Sequence, residues 1–316
     1  MAINKAMKLA LKALSYPEFD LKTSRRLASL KEIDPLKLFY HTMDEAVFNG
    51  EYEVPIRIYL QDEDTFLQWK EKERRLPVLL FIHGGGWVTE NVETYNRICR
   101  NMARCTEHLV VSIDYRLAPE HRFPVGLEDC YAVAKAIFTR GFLPNIDPDG
   151  ITVIGDSAGG NLAAALCLMA RDRGEFMPKR QILIYPCTNN DYSENSKFLS
   201  LHENGKDYLL TRKNLYDYMD LYRRTDEDLK NPYFAPLMAE DLSNMPQTLI
   251  ITAEFDPLRD EGEAYGERLI EAGNSVIMHR IPDALHGYFA LSTRYIHVKK
   301  TYALINQFLQ KGIRDV

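Results

Sequence analysis

The sequence has 316 residues, 46% of them hydrophobic and 27% charged, with a formal net charge of -6. This is ordinary globular composition. With no long basic run it excludes nucleic acid as an expected partner, because that binding needs Lys and Arg clustered against phosphate.

Five cysteines occur, Cys99, Cys105, Cys130, Cys167 and Cys187, with no C-x-x-C pair. Neither a zinc site nor a disulfide framework follows from them, and free thiols in a reducing compartment are the simplest reading. At the N-terminus, MAINKAMKLALKALS is interrupted by Lys5, Lys8 and Lys12, so no apolar core of a leader peptide is expected. No stretch is long and apolar enough for a transmembrane segment, and a cytoplasmic location is the expectation.

In chain order, residues 1 to about 40 read as helical, broken near Pro17 and Pro35. Glu51 to Leu60 alternates as a strand should. A regular rhythm follows. Strands are expected at Val78 to Ile82, Leu109 to Ile113, Ile151 to Ile154, Ile182 to Tyr185, Leu249 to Ala253 and Val276 to Ile281. Helices are expected at Val92 to Thr106, Val125 to Arg140, Ser157 to Arg171, Asp260 to Ala272 and Arg294 to Leu309. Such alternation predicts an α/β fold, a mostly parallel sheet flanked by helices. Thr188 to about Met245 breaks the rhythm and is too long for a plain loop. There Leu209, Leu210, Leu215, Met219 and Tyr222 have helical spacing, which predicts an inserted helical element. No flexible linker divides the chain. The expectation is therefore one domain over 1–316, with a helical cap from about 1–40 and about 188–245, inserted before the strand at 248–253.

The strongest chemical signal is Gly155-Asp156-Ser157-Ala158-Gly159, a G-x-S-x-G pattern between a strand and a helix. In that context the pattern is a sharp turn that lifts a serine hydroxyl clear of the sheet. A hydroxyl is a weak nucleophile and needs a base within hydrogen-bond reach. Of eight histidines, His286 follows the last expected strand and precedes the last helix, where a loop can reach the sheet's edge. The base in turn needs a carboxylate to hold its tautomer. Asp256 lies in the loop just past a strand, with Glu254 as its rival and Asp283 a weaker one. Asp260, Glu261 and Glu263 read as helix N-terminal charges. The order Ser157, Asp256, His286 is the α/β-hydrolase order. His83-Gly84-Gly85-Gly86-Trp87, at the end of another strand, offers glycine N–H groups to a developing oxyanion. A phosphate loop is the poorer reading, since the Walker lysine is absent.

HGGGW, DYRLAPEHRFP (Asp114 to Pro124), GDSAGGNLA, DPLRDEG and HGY occur in that order. Over roughly residues 75 to 312 the chain resembles the hormone-sensitive-lipase-like branch of α/β-hydrolase esterases. The resemblance implies Ser157 as nucleophile, Asp256 as acid and His286 as base. It implies oxyanion donors from Gly85 with Gly84 or Gly86, and from Ala158. It also implies no metal or organic cofactor and a small-molecule ester substrate of short acyl chain, acetyl to about hexanoyl. Asp114, Arg116, Glu120 and His121 are expected to order loops beneath the oxyanion site. A deacetylase of acetylated carbohydrate, or an amidase or peptidase with the same triad, is an alternative. A non-catalytic receptor is disfavoured because all three triad residues are present. Sequence leaves a homodimer open.

Overall fold

The computed structural model describes residue 15 and residues 20–35, 37, 40–139 and 141–311. Much of the helical reading for residues 1 to 40 lies outside these residues. Within them, Leu21–Ser29 is a helix, started by Asp20 accepting from the Thr23 N–H at 2.8 Å.

Among the described residues, eight strands form one sheet: β1 (Thr42–Phe48), β2 (Glu53–Tyr59), β3 (Leu76–Ile82), β4 (Leu109–Ile113), β5 (Ile146–Asp156), β6 (Arg180–Ile184), β7 (Gln247–Phe255) and β8 (Val276–Leu285). Their order is β1-β2-β4-β3-β5-β6-β7-β8. β2 runs antiparallel to β1 and β4, and all pairings from β4 to β8 are parallel.

The apolar run of β3 shows why the sheet is covered on both faces. Successive side chains of a strand point to opposite sides. Val78, Leu80 and Ile82 join one buried cluster, while Leu79 and Phe81 join another. All five are fully buried. A strand buried on both faces must be apolar throughout, as parallel strands are. The Ala158–Arg173 helix and the Val125–Thr139 helix pack into the first cluster, and the Asn96–Thr106 helix and the Ile296–Lys311 helix into the second.

Several boundaries differ from expectation, each for a local reason. The helix expected from Val92 begins at Asn96, because Asn91 and Thr94 close a turn of their own. The helix in the inserted segment runs Arg212–Tyr222 and excludes Leu209 and Leu210. Thr211 caps it, its side chain accepting from the Asn214 N–H at 3.1 Å, while Leu209 sits at φ 72°. β1 and the Glu63–Lys70 helix are additional elements. All five cysteines are free. Among the described residues no helix is long and apolar enough to cross a membrane.

Candidate active site

Parallel strands deliver their C-terminal ends to one edge of the sheet, where α/β proteins place their ligands. Here β3 ends at Ile82 beside Gly155 of β5, so His83 and the three glycines emerge next to Asp156 and Ser157. Phe255 of β7 pairs with Leu285 of β8, so Asp256 and His286 leave the sheet side by side.

Ser157 Oγ lies 2.9 Å from His286 Nε2, and His286 Nδ1 lies 2.7 Å from Asp256 Oδ2. Asp256 is fully buried, and its other oxygen accepts from the Leu258 N–H at 2.8 Å. An ionised carboxylate only accepts, so the imidazole proton belongs on Nδ1, and Nε2 offers a lone pair to the serine hydroxyl. Such a chain can draw the proton from Oγ as the oxygen attacks an electrophile.

Ser157 adopts φ 54°, ψ -121°, a costly conformation for a residue with a Cβ. Its surroundings enforce it. The Ser157 N–H donates to the Ile184 carbonyl at 2.9 Å, and its carbonyl accepts from Asn161 at 3.0 Å. The flanking glycines are required by contact. A Cβ on Gly155 would drive into the Gly159 carbonyl, and one on Gly159 into the carbonyls of Ile82 and His83.

Asp156, which sequence reasoning passed over, fastens the glycine loop to this turn. One of its oxygens accepts from the Gly84 N–H at 3.0 Å, the other from the Tyr95 hydroxyl at 3.0 Å and the Tyr185 hydroxyl at 3.3 Å. Burial lifts its carboxyl to about 6 against the pull of these donors. The available signal was a carboxylate at the end of an apolar strand, which must find donors. Gly84 thus spends its N–H on Asp156. The N–H groups of Gly85, Gly86 and Ala158 make no hydrogen bond among the described residues. These three residues, Ser157 and His286 line a cavity of about 240 Å³. Gly85 and Gly86 stand at φ 109° and 61°, which glycine alone adopts readily.

His83 is fully buried, stacked on Tyr115 at 4.4 Å, with Nδ1 donating to the Gly84 carbonyl at 2.8 Å. Trp87 stacks on Tyr222 of the inserted helix at 4.6 Å. Of the aromatic residues in the inserted segment, Tyr218 lines the cavity, beside Leu210 and Leu215. Tyr192, Phe198, Tyr222 and Phe234 are buried in packing.

The other acidic candidates are engaged elsewhere. Glu254 accepts from the Asp283 N–H at 2.6 Å and makes no hydrogen bond to His286. Asp260 accepts from the Ser200 N–H at 2.6 Å. Glu261, expected as a helix-end charge, is instead buried. It accepts from the backbone of Thr188 and Asn189 and from the Tyr192 hydroxyl, and burial lifts its carboxyl to about 8. Glu263 bonds Thr252 and Arg280.

The DYRLAP segment underpins the glycine loop. Asp114 accepts from the Val92 N–H at 3.1 Å, and the Ala118 N–H donates to the Trp87 carbonyl at 2.9 Å. Arg116 grips buried Asp129 with two bonds of 2.9 Å. Arg25 pairs with Glu120 and donates to the Val88 carbonyl at 2.8 Å. His121 is exposed.

A profile of the α/β hydrolase fold matches residues 79–290. An arylesterase of Saccharolobus solfataricus is 38% identical over 275 residues, covering 86% of this chain and 84% of that protein. The carboxylesterase NlhH of Mycobacterium tuberculosis is 37% identical over 251 residues, covering 77% and 74%. Among solved structures, the hyperthermophilic esterase of the archaeon Pyrobaculum calidifontis superposes with a TM-score of 0.84 at 33% identity, covering 98% of each chain.

Proposed function

The chain belongs to the α/β-hydrolase-fold family, in its hormone-sensitive-lipase-like branch, and from that premise we propose that it hydrolyses short-chain acyl esters through an acyl-enzyme on Ser157. It is a serine ester hydrolase. The observation that carries the finer reading is the unbroken chain from Ser157 through His286 to Asp256, with links of 2.9 and 2.7 Å.

In this reading Ser157 Oγ attacks the ester carbonyl while its proton passes to His286 Nε2. Asp256 stabilises the imidazolium without taking its proton. The carbonyl oxygen, now an oxyanion, is received by the N–H groups of Gly85, Gly86 and Ala158. Donors fixed in advance favour the transition state because they need no reorientation. His286 then gives its proton to the leaving alcohol. Water, deprotonated by the same nitrogen, releases the acid from Ser157.

The preference for short acyl groups, acetyl to about hexanoyl, is supported by the cavity of about 240 Å³. Drug-sized ligands occupy clefts of roughly 300–1,000 Å³. We assign the segment between β6 and β7, with the described residues 21–32, as a cap that limits this space. Its Tyr218 ring sits so close to Gly86 that a Cβ there would lie 2.7 Å from it. Tyr218→Ala should therefore extend the acyl range. In a series of p-nitrophenyl esters from acetate to decanoate, kcat/KM of the parent should fall beyond hexanoate. The variant should move that fall by at least two carbons. An unchanged profile would remove Tyr218 as the limit, and a parent preferring decanoate would overturn the short-chain reading.

A further inference from the structure

The cavity holds a charged pair that the reaction above does not use. Glu90 lines it beside Gly85 and Tyr218, and Lys31 Nζ approaches Glu90 Oε1 at 2.5 Å. Two features set Glu90 apart. Its backbone stands at φ 69°, a conformation unfavourable for a side chain of this kind. Its second oxygen, Oε2, is buried and has no hydrogen-bond partner among the described residues. Each feature is costly, and strain held at the wall of a reaction cavity is a mark of use.

The side chain passes directly against the glycine loop. A Cβ on Gly85 would come within 2.8 Å of Glu90 Cγ. A lone carboxylate so near an oxyanion would oppose the charge forming there, and Lys31 offsets it. A paired carboxylate with one spare acceptor suits a neutral donor better than a cation. Lys31, Tyr95 and Ala290 also line a second cavity of about 640 Å³, so the Lys31 side chain stands between the two. His286 must protonate a leaving alcohol in this cavity, and Gly287 and Ala290 follow it along the wall.

We propose that Glu90 is a specificity-determining residue that accepts a hydrogen bond from a hydroxyl on the alcohol portion of the ester. The preferred substrates are then short-chain esters of polyhydroxylated alcohols, glycerol or a sugar. This rests on the reading of Ser157 as nucleophile. A site built to bond a hydroxyl discriminates strongly against the analogue lacking it, because its own buried group is then left unpaired.

The test compares glycerol monoacetate with propyl acetate, which has the same ester and carbon chain without the two hydroxyls. The readout is the ratio of their kcat/KM values, which does not depend on the fraction of folded enzyme. Glu90→Gly removes the carboxylate and suits the positive φ. The parent ratio should favour glycerol monoacetate, and Glu90→Gly should lower it by about 10- to 100-fold, the worth of a hydrogen bond to a charged group. Glu90→Gln, which keeps one acceptor oxygen, should fall between. An unchanged ratio, or an equal loss on both esters, overturns the proposal and leaves Glu90 as an anchor for Lys31. A preference for acetylcholine that disappears in Glu90→Gly also overturns it, assigning the oxygen to a cation. p-Nitrophenyl acetate separates the two levels: no turnover by the parent removes the nucleophile reading itself, whereas turnover with an unchanged ratio removes only the role of Glu90.

Discussion

Ser157→Ala should lower kcat for p-nitrophenyl butyrate by about 10⁶-fold, the scale seen when a serine nucleophile is deleted elsewhere. The residue touches the reaction at one atom, Oγ, 2.9 Å from His286 Nε2. Alanine keeps the Cβ, so the backbone at φ 54° loses no contact that holds it. The Ser157 N–H and carbonyl retain their bonds to Ile184 and Asn161. The loss should thus appear in kcat, with the thermal unfolding temperature within a few degrees of the parent. Residual hydrolysis of about 10³- to 10⁴-fold over water is expected from the oxyanion donors and binding alone. Turnover near the parent level would move the nucleophile elsewhere.

The second large effect separates two neighbouring carboxylates. Asp256→Asn should lower kcat by about 10⁴-fold, while Glu254→Gln should change it by less than about tenfold. Asp256 accepts a hydrogen bond from His286 Nδ1–H at 2.7 Å, from a fully buried position. An asparagine there can present an amide N–H, which turns the imidazole to the tautomer that cannot accept from Ser157. Glu254 instead holds the backbone of Asp283 at 2.6 Å, and glutamine keeps an oxygen for that bond. Steady-state kinetics on both variants decide the matter, and the reverse pattern would transfer the acid to Glu254.

Much of the fold can be read in the sequence because parallel strands buried on both faces must be apolar runs. β3, β4 and β7 stand out for that reason, and the residues just past such runs are the ones at the functional edge. β1 escapes notice because Asp44 and Glu45, both exposed, break the apolar pattern, and Val47 is its one buried residue. The extent of β8, from Val276 to Leu285, is hidden in the same way. It is an edge strand with exposed His279 and Arg280, and it passes through Asp283 at φ 58°.

The site divides along a similar line. Ser157 and His286 lie in short motifs whose local form is set by neighbours in the chain. Asp256 needed a choice among nearby carboxylates, and only the register of β7 against β8 shows which of them leaves the sheet beside His286. Asp156 and Glu90 bond to partners 72 and 59 residues away, Gly84 and Lys31, and no spacing rule reveals such pairs. Among the three glycines of HGGG, the sequence leaves open whether Gly84 or Gly86 joins Gly85. The backbone distinguishes them, since Gly84 donates to Asp156 while Gly85 and Gly86 face the cavity.

The claim on which the rest depends is that Ser157, activated by His286, takes up the acyl group. Its most direct measurement is labelling with a fluorophosphonate followed by peptide mass spectrometry, in parallel with loss of esterase activity. The adduct is expected on the peptide containing Ser157, one per chain, with activity lost in proportion, and His286→Ala should slow the labelling strongly. An adduct on a different residue, or full loss of activity with Ser157 unmodified, would contradict the account.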